Sequence, residues 1–147
     1  MNRQEATQAI LEAKRSKSIS FEEIAHAVGR HKVWTTAALF GQATMTPEES
    51  ERAVECLVLG QDVAEALQQI PLKGSLDEPV PVDPLIYRFY EIVNVYGTTF
   101  KELIHEEFGD GIMSAIDFDM TLERQPDQKG DRVKIGMSGK FLGYKTY

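Results

Sequence analysis

The chain has 147 residues, 42% of them hydrophobic and 27% charged, with a formal net charge of −7. That length suits one ordinary domain or two small ones packed together, and no apolar run approaches the ~20 residues of a membrane span. The acidic balance speaks against non-specific binding to nucleic acid or an acidic membrane, which needs a basic surface.

The charge is unevenly divided. Residues 1–76 hold 8 Lys/Arg against 10 Asp/Glu, and residues 77–147 hold 8 against 13. The field of the whole molecule therefore repels small anions, so any anion site must be local and dominated by arginine. The N-terminal stretch MNRQEATQAILEAKRSKS lacks a signal peptide's apolar core and cleavage site, and the single Cys56 cannot form an internal disulfide. Both features suit a reducing, cytoplasmic location. Cys56, in ERAVECLVL, falls on an apolar helix face and reads as an inert, buried thiol.

Residues 3–16 read as a first helix, with Ala6, Ile10 and Ala13 along one face. Ser20 and Glu23 form a capping box for the second, with Ile19 and Ile24 as its hydrophobic staple, and Gly29 supplies the turn after Val28. A third runs from about Lys32 to Phe40 and ends at Gly41. Thr46, Pro47 and Glu49 open a fourth, which stops at Gly60. Asp62 and Glu65 open a fifth, ended by Pro71. The helix, glycine turn and helix across 21–40 also fit a DNA-reading helix-turn-helix. DNA reading, however, needs polar base-reading side chains and phosphate-binding cations. The second helix, KVWTTAALF, is mostly apolar or small, with only Arg30, His31 and Lys32 at its start, so a packing unit is the better reading.

Pro79, Pro81 and Pro84 hold the linker LKGSLDEPVPVDP extended. Asp83 then caps a helix with Pro84 in its first position; Leu85, Phe89, Ile92 and Tyr96 form its core stripe, and Gly97 ends it. Thr99 and Glu102 cap the next helix, burying Phe100, Leu103 and Ile104. After Gly109-Asp110-Gly111 the period changes to two: Ile116, Phe118, Met120 and Leu122 alternate with polar residues, as do Val133, Ile135 and Met137. QPDQKGD, residues 125–131, is the hairpin loop between them. Two helices and one hairpin bury too little surface to stand alone, so the apolar strand face must be covered by the helical half or by another copy of the chain.

Candidate chemistry concentrates in the second half. Arg88 and Glu91 are three apart on one helix and share a face, and a guanidinium is the side chain best matched to a planar, carboxylate-like anion. Ser114 follows a glycine-rich turn, where N–H groups and a hydroxyl can donate to an anion. No G-x-S-x-G elbow marks Ser114 as a nucleophile, and sequence does not place His105 as its base. The three histidines lack metal-ligand spacing, and no phosphate loop is present. These residues describe a small anion site without naming a reaction.

The chain resembles the cyanase (cyanate hydratase, cyanate lyase) family over essentially its whole length. The likeness lies in SFEEIA, TAALFGQ and PLKG in the helical half, and above all in DPLIYRFYEIVNVYGTTFKELIHEEFGDGIMSAIDF, with GKFL near the end. Gly143 departs from the proline common at that place. The resemblance implies that Arg88, Glu91 and Ser114 are catalytic in the bicarbonate-dependent breakdown of cyanate to ammonia and carbon dioxide, with bicarbonate as co-substrate and no cofactor. It also implies a homo-oligomer, a decamer of five dimers with sites at subunit interfaces, and no nucleic-acid or membrane partner. The expected fold is α+β. Residues 1–75 would form a five-helix bundle with a helix-turn-helix-like core, and residues 76–147 a catalytic and dimerisation domain. In the latter, a helix pair and a β-hairpin would be intertwined across the dimer.

Overall fold

Local capping chemistry starts most of the helices. The computed structural model describes residues 1–74 and 76–146, and among these an α+β chain of six helices is followed by one two-stranded hairpin. The helices are α1 (Arg3–Ser16), α2 (Phe21–Val28), α3 (Lys32–Leu39), α4 (Pro47–Leu57), α5 (Gln61–Gln68) and α6 (Pro84–Phe108); the strands are β1 (Gly111–Gln125) and β2 (Arg132–Gly143). Asn2 with Glu5, Ser20 with Glu23, and Thr46 with Glu49 form reciprocal capping boxes at α1, α2 and α4.

The ends of these helices share one geometry. Ile19, Arg30, Gln42 and Leu59 donate back to the carbonyls of Lys14, Ala25, Ala37 and Val54 at 2.8–3.2 Å, closing the last turn in Schellman fashion. The residue turned into the left-handed region is Ser18, Gly29, Gly41 and Val58 respectively. Val58 is the costly choice, because a β-branched side chain crowds its own carbonyl there.

Ile10 of α1, Ile24 and Val28 of α2, Leu39 of α3, Leu57 of α4 and Leu67 of α5 meet in one buried cluster. α1 also seals the end of α3. Arg3 donates to the carbonyls of Ala38, Ala43 and Ala66 at 3.1, 2.6 and 3.0 Å, and Thr7 to that of Leu39 at 2.8 Å. The bonds to Ala38, Leu39 and Ala66 reach carbonyls in the last turns of α3 and α5, and the bond to Ala43 ties in the loop after α3. Burial pushes the Arg3 guanidinium below its usual range.

Two boundaries differ from the sequence expectation. α4 stops at Leu57 with Val58 in the left-handed position, and Gly60 instead begins α5 as an N-cap with no side-chain bond. Asp62 therefore lies inside the first turn of α5. The expected helix pair after Pro84 is one continuous 25-residue helix, α6. Gly97 keeps a helical backbone, and the Tyr96 and Phe100 rings pack 6.3 Å apart across it. A glycine costs a helix interior only about 1 kcal/mol and does not by itself break it.

By internal contacts the chain divides into two compact units, Met1–Ser75 with Thr121–Lys134, and Leu76–Met120 with Ile135–Tyr147. In the second, α6 buries no residue at all. The expected core stripe of Leu85, Phe89, Ile92 and Tyr96 is exposed on its own chain, as are Phe100 and Leu103, and Ile116 of β1 is 98% exposed. A surface this apolar is far beyond what a monomer ordinarily leaves open. Among the described residues no helix is long and apolar enough to cross a membrane.

Candidate active site

Asp83 and Pro84 set the start of the helix that carries the candidate arginine. The Asp83 carboxylate accepts the N–H groups of Leu85 and Ile86 at 3.0 and 2.9 Å, while Pro84 occupies the first turn. One turn on, Arg88 folds back along the helix. Its Nε donates to the Pro84 carbonyl at 3.2 Å, Nη1 lies 3.4 Å from Glu91 Oε2, and Cζ sits 5.5 Å from the Tyr87 ring centre. Among the described residues Nη2 has no partner, so the Nε and Nη1 groups are held and the Nη2 group between them is open. Arg88 and Glu91 are both more than two-fifths exposed on their own chain.

At its far end α6 stops at Gly109, whose φ of 90° and ψ of −165° suit only glycine. The corner leading into β1 is pinned several times. His105 Nε2 bonds the Gly111 carbonyl at 3.3 Å, the Tyr144 N–H bonds that of Asp110 at 3.0 Å, and the Phe108 and Phe141 rings stack at 5.3 Å. His105 is thus engaged with backbone.

Ser114 follows in β1 and is 5% exposed. Its Oγ accepts the N–H of Ile116 at 3.1 Å and that of Asp117 at 2.9 Å. With two donors on its oxygen, the hydroxyl has one remaining capacity, to donate its own proton. These donors lie after Ser114 in the strand and not in the glycine-rich turn before it. The structure thus brings Arg88 and Glu91 together, while the contacts of Ser114 on its own chain are with its strand neighbours. The sequence reading missed Gly111 and Gly139, where an added side chain would collide with the opposite strand; a glycine inside a strand pattern is the signal that marks them.

Among the described residues Arg30 and Lys32 of the helix-turn-helix-like pair each have a carboxylate partner. Arg30 Nε bonds Glu49 Oε1 at 2.6 Å while its guanidinium stacks 4.3 Å over Trp34. Lys32 lies 3.7 Å from Glu22, and His31 caps α3 by accepting from Val33. Cys56 is half-buried, and burial, followed by the charge of Glu23, pushes its thiol up, away from the reactive thiolate. Among the described residues no group of His, Cys, Asp and Glu is arranged to hold a metal ion.

Comparison with known proteins points one way. A family model described as the cyanate lyase C-terminal domain matches residues 78–146, and one described as the N-terminal part of cyanate hydratase matches residues 3–71. The chain is 58% identical to the cyanate hydratase of Ralstonia pickettii and 57% identical to that of Dechloromonas aromatica, in each case over 147 residues and the full length of both proteins. A solved structure, the crystal structure of cyanase from T. urticae, matches with a TM-score of 0.81 at 38% identity, covering 94% of this chain and 96% of that one.

Proposed function

The chain belongs to the cyanase (cyanate hydratase) family, and from that premise we propose that it is a lyase decomposing cyanate with bicarbonate as co-substrate. Bicarbonate oxygen attacks the cyanate carbon, the dianionic adduct loses carbon dioxide, and the remaining carbamate breaks down to ammonia and a second carbon dioxide. Protons from water complete the balance. Bicarbonate is itself the nucleophile, so the reading uses no cofactor and no activated side chain.

Two like-charged reactants repel each other, and the second negative charge accumulates as they join. Catalysis therefore requires fixed donors aimed where that charge develops. Arg88 would bind the adduct's oxygens through its free Nη2 group, Glu91 would orient the guanidinium through Nη1, and Ser114 would donate its hydroxyl proton. The observation that carries this reading is the hold on Arg88 by Pro84 and Glu91, which leaves Nη2 without a partner among the described residues. One arginine does not neutralise a dianion. We therefore read the working form as a homo-oligomer, a decamer of five dimers, with the arginines of several copies gathered where they meet. The unburied apolar length of α6 supports an assembly of that kind.

The reading is tested by mixing the protein with cyanate, with and without bicarbonate, and following ammonia. Bicarbonate-dependent ammonia is expected. No ammonia under either condition overturns the activity, and ammonia independent of bicarbonate overturns the mechanism. No observation favours the rival reading as a DNA-binding regulator, because Arg30 and Lys32 are already paired with carboxylates.

A further inference from the structure

Gly139 of β2 is a point of very close approach between the second strand and Ser114. A side-chain carbon at position 139 would overlap the Ser114 carbonyl oxygen and lie 2.6 Å from Met113 Cγ and 3.2 Å from its Sδ. Carbon atoms do not sit at such distances without something moving. The Ser114 oxygen belongs to the backbone, so it cannot swing aside as the end of a side chain would. The same residue is held at a second place, where its Oγ accepts the N–H groups of Ile116 and Asp117. Backbone and hydroxyl are only a few bonds apart, so a push on the first redirects the second.

We propose that Gly139 is a positioning residue for the Ser114 hydroxyl. Its missing side chain lets β2 seat Ser114 where the hydroxyl can donate to a bound anion, while the Met113 side chain lies over the space left empty. The inference rests on the reading of Ser114 as a donor to the adduct. Gly139 itself touches no reacting atom in this scheme.

The test is a double-mutant cycle on the assembled protein, with Gly139→Ala and Ser114→Ala made singly and together and ammonia release followed. Gly139→Ala is expected to lower kcat by about tenfold to a hundredfold, the scale of a group misplaced by ~1 Å. KM for cyanate and bicarbonate should stay within about twofold, since the lost interaction is made in the transition state. In the Ser114→Ala background the same change should alter kcat by less than about twofold, because it acts through a hydroxyl no longer present. An equal loss in both backgrounds, or normal turnover in Gly139→Ala, overturns the inference.

The added methyl also crowds Met113, so Met113→Ala/Gly139→Ala is measured beside it. The deficit in kcat should persist there, since the backbone conflict remains; recovery would trace the effect to a side-chain clash and overturn the inference. If Gly139→Ala alone does not assemble, the cycle is run in the Met113→Ala background. Normal turnover in Ser114→Ala would instead remove the underlying reading, so the two failures are distinguishable.

Discussion

Glu91 Oε2 lies 3.4 Å from Nη1 of Arg88, one turn back along α6. On its own chain the pair is half-exposed, and an exposed pair of this spacing contributes only about 0.3–0.5 kcal/mol. Its consequence is directional, because together with the Pro84 carbonyl it fixes where the free Nη2 group points.

Arg88→Leu should therefore remove catalysis without removing the fold. The loss expected is on the order of 10²–10³ in kcat, the usual effect of deleting one preorganised donor, with circular dichroism and sedimentation unchanged. Near-normal turnover in an intact assembly would remove Arg88 from the site.

Ser114→Ala should lower kcat by a similar factor, about 10² or more. Oxalate, a small planar dianion, should compete with both substrates in the unmodified protein and bind more weakly to the variant. Inhibition competing with neither substrate would mean that the pocket is not shaped for a dianion.

Acid should weaken the helical unit through Glu49. One of its carboxylate oxygens accepts the Thr46 N–H at 2.9 Å and the other accepts Arg30 Nε at 2.6 Å. Burial, the largest single influence, would raise this carboxyl, but those two bonds and the charges of Arg30 and Arg52 together outweigh it and hold the group below the ordinary value of 4.5. A carboxyl depressed in the folded state stabilises above its unfolded pKa, and the contribution fades as pH falls through the folded one. Thermal melts from about pH 7 downward should thus show Tm falling below about pH 4.5, and falling less steeply in Glu49→Gln. Identical slopes in the two proteins would assign the acid sensitivity to other carboxylates, such as those of Glu23 and Glu48.

Val58→Gly should stabilise the protein. The valine holds φ 55° and ψ 52° with 76% of its surface exposed, so little packing is lost on truncation. Relief of left-handed strain, less the greater freedom of glycine in the unfolded chain, gives a gain of about 1 kcal/mol. A lower Tm in the variant would show that this side chain is covered by something beyond its own chain.

Thr35→Val should also stabilise. Thr35 is fully buried in α3 and its hydroxyl has no hydrogen-bond partner among the described residues. Replacing that hydroxyl by a methyl of similar size removes an unmet desolvation penalty, for a gain of about 1 kcal/mol by chemical denaturation. A loss instead would identify an unseen partner for the hydroxyl.

The sequence by itself determined where α2, α4 and α6 begin, because Ser20–Glu23, Thr46–Glu49 and Asp83–Pro84 act within a single turn of chain. It also located the hairpin loop and marked Arg88, Glu91 and Ser114 as a candidate anion site, to which the resemblance to one family added a catalytic role. Tertiary structure decided the rest. Gly97 reads as a helix stop yet rides inside α6, and α4 ends at Val58 before the expected Gly60. The bare Gly139 facing Ser114 follows from the register of β1 on β2, set by pairing across the hairpin between residues well separated in the chain. Bonds that close within four residues can be read from residue order; contacts made by distant segments cannot, because their geometry exists only once the chain has folded.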